Sequence, residues 1–158
     1  MNPFSQRRQL ATRRFNDAAA VHDQNSRWST FSDRLTPNGI VGIQAITIQD
    51  HLFATYRTEI DFIRRYIFPG GMLPTPTILR SLGQSFGIPM IGERVFGEDY
   101  VKTLAAWRDR FHAAWPDLVP MGFDERFRRM WDYYFAYCEA GFSAGKIDVR
   151  QMVFAKAS

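Results

Sequence analysis

The sequence predicts an α/β chain of about three strands with four or more helices. Three observations carry this. Two runs have strand character, 39–48 as a nearly continuous apolar, β-branched run and 147–155 by alternation. Between them, large apolar residues recur at spacings of three and four, the period of a helix face. Glycine, proline or a short polar residue stands wherever the period changes.

In order along the chain, residues 1–26 are polar and weakly periodic, and read as a loose or partly helical leader. Thr36-Pro37-Asn38-Gly39 is a turn, with Pro setting one corner and Asn-Gly the other. GIVGIQAITI (39–48) follows and reads as a strand buried on both faces, as in a mostly parallel sheet. Phe53, Tyr56, Ile60, Ile63 and Ile67 predict one helix from about Leu52 to Tyr66. Thr75-Pro76 opens the next helix, Thr as N-cap and Pro at the first turn, and Gly87 ends it. PMIGERVF (89–96) is a strand. Tyr100, Leu104, Trp107, Phe111 and Trp115 mark a helix that Pro116 is expected to end. Asp124 caps a last helix, whose buried face holds Phe127, Met130, Trp131, Tyr134, Cys138 and Phe142. Gly141 or Gly145 closes it, and IDVRQMVFA (147–155) is the terminal strand. No earlier strand flanks the run at 39–48, so the chain reads as the back part of a larger α/β domain.

The chain has 158 residues, 46% of them hydrophobic and 15% aromatic, enough for one domain with a real core. The formal charge of +4 is concentrated at the front, where residues 1–38 carry six arginines against three aspartates. A bias of this size is compatible with an anionic membrane surface or with nucleic acid and by itself selects neither. No basic stripe interleaved with aromatics is present, so no nucleic-acid partner is expected. The lone Cys138 excludes an internal disulfide and fits a reducing compartment. The arginines near the N-terminus have no apolar segment behind them, so they do not read as a secretory signal. The expected location is the cytoplasm, peripheral to the inner face of the membrane.

His22, His51 and His112 make no metal-ligand spacing, and no metal is expected. The serines lack a nucleophile elbow, and the glycines form neither G-x-G-x-x-G nor a Walker pattern. Cys138 reads as a small core hydrophobe, and Glu139 beside it as a partner for a helix-face Arg. Arg64-Arg65 and Arg126, Arg128 and Arg129 are basic clusters on helices, read either as solvated faces or as contacts for phospholipid headgroups. Tyr100 follows Phe96-Gly97-Glu98-Asp99 at a helix start. A hydroxyl there can donate to an anion, and a core tyrosine with a wet tip is the alternative.

Tyr66-Ile67-Phe68-Pro69-Gly70-Gly71-Met72-Leu73-Pro74-Thr75 is the most distinctive run. Pro69 fixes one dihedral and the glycine pair permits positive φ, yet Phe and Met sit where a turn usually carries polar residues. Such a loop is either a packed turn or one wall of an apolar site.

With IFPGGMLP (67–74), the blocks FGEDYVKTLAAWRDRF (96–111), FDERFRRMWDYYFAYCEAGF (123–142) and V-x-Q-M-V-F (149–154) resemble the C-terminal part of cyclopropane-fatty-acyl-phospholipid synthases, relatives of the mycolic acid cyclopropane synthases. The L-T-P-N-G turn and GIVGIQAITI resemble that family's L-x-P-G-G turn and fifth strand. The resemblance covers 28–156, which divides the chain into an unmatched leader, 1–27, and a methyltransferase-like part, 28–158.

The resemblance implies the C-terminal part of a Rossmann-like methyltransferase fold without its N-terminal cofactor-binding βαβ units. It implies transfer of a methyl group from S-adenosylmethionine to a cis double bond of a phospholipid acyl chain, with bicarbonate as base. Phe68 then lines the acyl and carbocation site, Tyr100 and Ile46 contact bicarbonate, and Gln44 stands where the family has a His. Gln can hydrogen-bond an anion but cannot carry positive charge. The family's glycine-rich cofactor turn, and its Cys and Glu bicarbonate ligands, have no counterpart in these residues. The implied chain is therefore a truncated substrate-side portion, inactive alone, with the cofactor half on a separate chain as one arrangement. The alternatives are a lipid-binding or membrane-associated module without chemistry, and a partner of a full-length synthase.

Overall fold

The computed structural model describes residues 17–156. In chain order its elements are α1 (Asp17–Arg34), β1 (Ile40–Ile48), α2 (Phe53–Thr58), α3 (Pro76–Ser85), β2 (Met90–Val95), α4 (Gly97–Leu118), α5 (Glu125–Ser143) and β3 (Ile147–Ala155). The three strands form one sheet in the order β1-β3-β2, with β3 antiparallel to both neighbours. The reading of residues 1–26 as a leader lies partly outside the described residues; from Asp17 the chain is helical, and α1 runs through the position expected to divide leader from body.

Period-2 alternation along β3 separates two cores. Met152 and Phe154 face one side, where they pack with Trp28 of α1, Leu79 of α3 and Ile88. Val149 faces the other side and packs with Leu104 of α4 and with Phe135 and Phe142 of α5. Trp28 meets Phe154 edge-on at 4.8 Å, and Lys156 donates to the carbonyls of Ser32 and Leu35 at the end of α1. α4 and α5 form an antiparallel hairpin. Contacts of Tyr100 with Phe142, Arg108 with Glu139, Phe111 with Phe135 and His112 with Asp132 give its register. The Arg108–Glu139 pair is the helix-face partnership expected for Glu139.

Several expected caps are present. Thr75 Oγ1 accepts the Ile78 N–H at 3.1 Å, and Asp124 Oδ1 accepts the Phe127 N–H at 2.8 Å. Asn38 takes φ 61°, and the Gly39 N–H closes the turn on the Thr36 carbonyl at 2.8 Å.

Three expectations are corrected. β1 is not a strand of a parallel sheet. It is an edge strand against antiparallel β3, and Ile40 at its start is 63% exposed. One face, Val41, Ile43 and Ala45, packs on the α1–α3 core; on the other only Ile46 and Ile48 at the inner end are covered, and Ile40, Gly42 and Gln44 are exposed. The helix expected over 52–66 is broken. A 3₁₀ turn at Asp50–Leu52 leads into α2, which stops at Thr58; Glu59 is extended, and a wide π turn follows at Ile63–Ile67. The cause is polar competition with the helix ladder. Arg64 Nη1 donates to the carbonyls of Tyr56 and Glu59 at 2.8 and 2.6 Å, and Asp61 Oδ1 accepts the Arg64 N–H. Ile60, expected on the buried face, is therefore turned to solvent. Lastly, Pro116 does not end α4. It stands inside the final turn, where one lost hydrogen bond is tolerated, and the helix runs to Leu118.

Glu93 ties the sheet to α3. It accepts from Arg150 Nη1 at 2.7 Å and from Arg80 Nη2 at 2.8 Å, while Arg150 Nε reaches Thr47 on β1. Desolvation pushes the Glu93 carboxyl up, but the Arg150 hydrogen bond and the charges of Arg150 and Arg80 outweigh it and hold the group below its usual range. A depressed folded value contributes stability that is complete above the unfolded value and lost as pH falls through the folded one. Glu93→Gln is therefore expected to cost about 1–2 kcal/mol near neutral pH, the solvent-screened range for a charged hydrogen-bonded pair. The difference from the parent should close below about pH 4, the ordinary carboxylate range. Urea unfolding at both pH values checks this, and an equal gap at both would refute it.

Candidate functional site

A cavity of about 580 Å³ opens between the inner end of β1, the 59–73 segment and α5. Each wall follows from local structure. Alternation along β1 directs Ile46 and Ile48 into it. Leu52 and Tyr56 enter from the 3₁₀ turn and α2. The break after Thr58 and the π turn aim Ile63 and Phe68 inward, across from Tyr134, Cys138, Gly141 and Phe142 of α5.

The Phe-Pro-Gly-Gly run forms a turn with type II signature. Pro69 occupies the first corner, Gly70 the second with φ 82°, and the Gly71 N–H returns to the Phe68 carbonyl at 2.9 Å. This pins the backbone of Phe68 while leaving its ring 56% exposed at the rim. The ring meets Tyr134 edge-on, centroids 6.4 Å apart. The Leu73 N–H donates to the Tyr56 hydroxyl at 3.2 Å and ties the far side of the loop to α2.

The polar groups of the cavity are few and mostly engaged. Asp61 accepts from the Tyr137 hydroxyl at 3.4 Å as well as from the Arg64 backbone. The Arg64 guanidinium lies over the Tyr56 ring at 5.2 Å. Burial, and then the neighbouring Cys138 and Tyr100, push the Tyr134 hydroxyl up to about 12. Burial likewise pushes the Cys138 thiol up to about 11, only partly relieved by its hydrogen bond with Tyr134. Both groups are neutral at physiological pH. The wall thus offers aromatic faces, aliphatic surface and neutral donors, with Asp61, Arg64 and Lys146 as its charged groups. That surface suits a long apolar ligand and suits attraction of an electron-poor centre to the rings.

Of the residues picked from sequence, the structure brings Ile46 and Phe68 to this cavity. Tyr100 packs on the same buried cluster as Ile46, with its ring 5.2 Å from Phe142 and 6.0 Å from Trp107, behind the cavity wall. The ring that meets Phe68 edge-on is that of Tyr134. Gln44 is exposed two residues before Ile46, and its Oε1 accepts from Gln151 Nε2 at 3.0 Å. The first turn of α4, weighed as an anion site, holds the protein's own anion: the Gly97 N–H donates to Asp148 Oδ1 at 2.8 Å, and a Cβ at Gly97 would collide with that carboxylate. Tyr134 and Cys138 were read from sequence as core, and Tyr56 as a helix-face residue. Their spacing carried no sign that the surface they bury against is hollow. Among the described residues no cluster could hold a metal ion, and no helix is long and apolar enough to cross a membrane.

The family model of mycolic acid cyclopropane synthetase matches residues 18–152. The chain belongs to this family. Two curated relatives agree with the cyclopropane synthetase assignment. Tuberculostearic acid methyltransferase UfaA1 of Mycobacterium tuberculosis is 44% identical over 116 residues, covering 73% of this chain and 27% of the relative. Cyclopropane-fatty-acyl-phospholipid synthase of Escherichia coli is 38% identical over 111 residues, covering 67% and 28%. The fold matches too. The cyclopropane synthase MmaA2 from Mycobacterium tuberculosis superposes with TM-score 0.74 at 21% identity, covering 84% of this chain and 50% of that one. Mycolic acid cyclopropane synthase CmaA1, solved in complex with SAH and CTAB, gives 0.75 at 22% identity, covering 85% and 50%. The chain therefore spans about a quarter of the length of these two curated relatives and half of the two solved synthetase chains. Its three strands and the helices around them resemble the C-terminal part of the methyltransferase fold of this cyclopropane synthetase family.

Proposed function

We propose that this chain is the substrate-side portion of an S-adenosylmethionine-dependent methyltransferase acting on a cis double bond of a phospholipid acyl chain at an anionic membrane surface. The observation that carries the reading is the aromatic-walled cavity of about 580 Å³ behind Phe68, in a chain of the cyclopropane synthetase family. Phe68, Tyr134 and Phe142 hold the chain beside their ring faces, where a carbocation-like centre is stabilised. Ile46, Ile48, Leu52, Ile63 and Leu73 exclude water around it.

When bound, S-adenosylmethionine supplies the methyl group. Its glycine-rich turn is absent from this sequence, so the donor site belongs to further protein, in the same polypeptide or in a separate chain. The fit to bicarbonate is incomplete. Tyr100 lies behind the wall, Gln44 is exposed, and the Cys and Glu ligands implied by the resemblance are missing. No proton step is assigned through that ion. Catalytic roles for Phe68 and Tyr100 accordingly reduce to one ring at the rim of the cavity and one hydroxyl beside Tyr134.

Calorimetric titration of the full chain tests the reading. Oleate below its micellar concentration should bind saturably, and S-adenosylmethionine should not. Absence of oleate binding sinks the cavity assignment. Saturable S-adenosylmethionine binding places the donor site within this chain and sinks the division proposed.

A further inference from the structure

Beside the mouth of the cavity lies an exposed aromatic surface that no part of the cavity explains. Phe62 is its hub, with ring centroids 4.6 Å from Tyr133, 5.4 Å from Tyr66 and 6.3 Å from Tyr137. Tyr133 and Tyr137 lie one helical turn apart on α5, 5.9 Å between centroids. Tyr66 and Tyr133 are each more than half exposed, and Ile60, turned outward by the break after α2, adds an aliphatic side chain from the same segment. Half-buried Phe62 thus joins three exposed tyrosines from two elements into one group of rings.

Arginines flank it on two elements, while Asp132, next to Tyr133 in the chain, is paired with His112. Arg65 lies over the Tyr66 ring at 5.8 Å. Arg129 and Arg126 stand four and seven residues before Tyr133 on α5, the spacing that puts them on its face of the helix, and both are exposed. None of these three arginines forms an ion pair among the described residues. The acid within the patch, Asp61, is occupied by the Arg64 N–H and the Tyr137 hydroxyl. Rings with an apolar body and a polar tip, flanked by unpaired arginines, match the boundary between headgroups and acyl chains of an anionic bilayer. The patch is also continuous with the cavity, because Asp61, Arg64 and Tyr137 belong to both.

We propose that Phe62, Tyr66, Tyr133 and Tyr137, with Arg65, Arg126 and Arg129, form the surface that seats this protein on an anionic lipid bilayer and turns the cavity mouth toward the acyl chains. This rests on the acyl-chain reading of the cavity and adds the orientation in which that cavity meets its substrate. Tyr66 and Tyr133 enter the headgroup layer, and the arginines hold phosphates beside them.

The test uses the full chain and two readouts. Vesicles of equal parts phosphatidylcholine and phosphatidylglycerol report docking by co-sedimentation, and monomeric oleate reports the cavity. The variant Arg65→Gln/Arg126→Gln/Arg129→Gln is expected to bind these vesicles on the order of a hundredfold more weakly, given what each surface cation contributes. Tyr66→Ser/Tyr133→Ser should weaken vesicle binding at high salt as well, where the charges are screened. Both variants change exposed side chains, should keep the parent circular dichroism spectrum, and should bind oleate as the parent does. Vesicle binding equal to the parent's in the arginine variant overturns the proposal. So does equal parent binding to pure phosphatidylcholine vesicles. A parent dimer that the tyrosine variant dissolves, with vesicle binding unmoved, assigns the surface to a second copy and overturns it too. Loss of oleate binding in the parent with vesicle docking intact defeats the cavity reading alone.

Discussion

Phe154→Ala is expected to remove about 3–5 kcal/mol of stability, the range for emptying a buried phenyl site. Phe154 has no exposed surface, and it stands on the central strand opposite both Val41 of β1 and Met90 of β2. Trp28 closes over it edge-on from α1. On the α3 side the ring lies against Gly83, where an added Cβ would come within 2.8 Å of Phe154 Cδ1. The ring is thus enclosed by two helices and two strands that come from distant parts of the chain, and the neighbours cannot close in without moving the sheet. Against a total stability of about 5–15 kcal/mol for a domain, such a loss leaves little margin. The urea midpoint should fall steeply, with Phe154→Leu losing less than half as much. A shift within about 0.5 kcal/mol, the range of surface substitutions, would show that this core is not continuous across β3.

The second large effect is on ligand binding. Cys138 lines the cavity from the middle of α5, half-buried and protonated, with Tyr134 one turn before it. Cys138→Phe places a ring in the space of the cavity. If it displaces three methylenes of a bound acyl chain, each contributing about 0.8 kcal/mol, affinity for oleate falls roughly fiftyfold. Cys138→Ala should keep near-parent affinity, because it enlarges the cavity and removes only a protonated thiol. Oleate titration of both variants decides the matter. Unchanged binding by Cys138→Phe would place the ligand elsewhere, and equal loss by both variants would trace the effect to the Tyr134 contact rather than to space.

Much of the architecture was legible in the residues. Pro-Asn-Gly before β1, Thr75-Pro76 before α3, Asp124 before α5 and alternation in β3 are local signals, and local physics decides them. The break at residues 59–61 was not legible. The spacing of Tyr56, Ile60 and Ile63 fits an unbroken helix, whereas the Arg64 guanidinium folds back on two carbonyls and Asp61 takes the Arg64 N–H. Strand direction was not legible either, since the nearly continuous apolar run at 39–48 reads as a strand buried on both faces while one face is exposed along its outer half.

The site divides in the same way. The blocks around Phe68 and on α5 were enough to assign the family, and the type II signature of the Phe-Pro-Gly-Gly turn follows from Pro and Gly alone. That Phe68 meets Tyr134 was decided by how α5 packs over β1 and by where the π turn aims the rim. Hydrophobic spacing shows which side of a helix leaves water. It carries no information on whether that side meets packed atoms or a hollow, because both are lined by the same kinds of residue. The sequence by itself determined most of the elements, several of their caps and the family. The tertiary structure decided which apolar faces enclose a cavity, because a cavity is set by the distance between elements and not by the composition of any one of them.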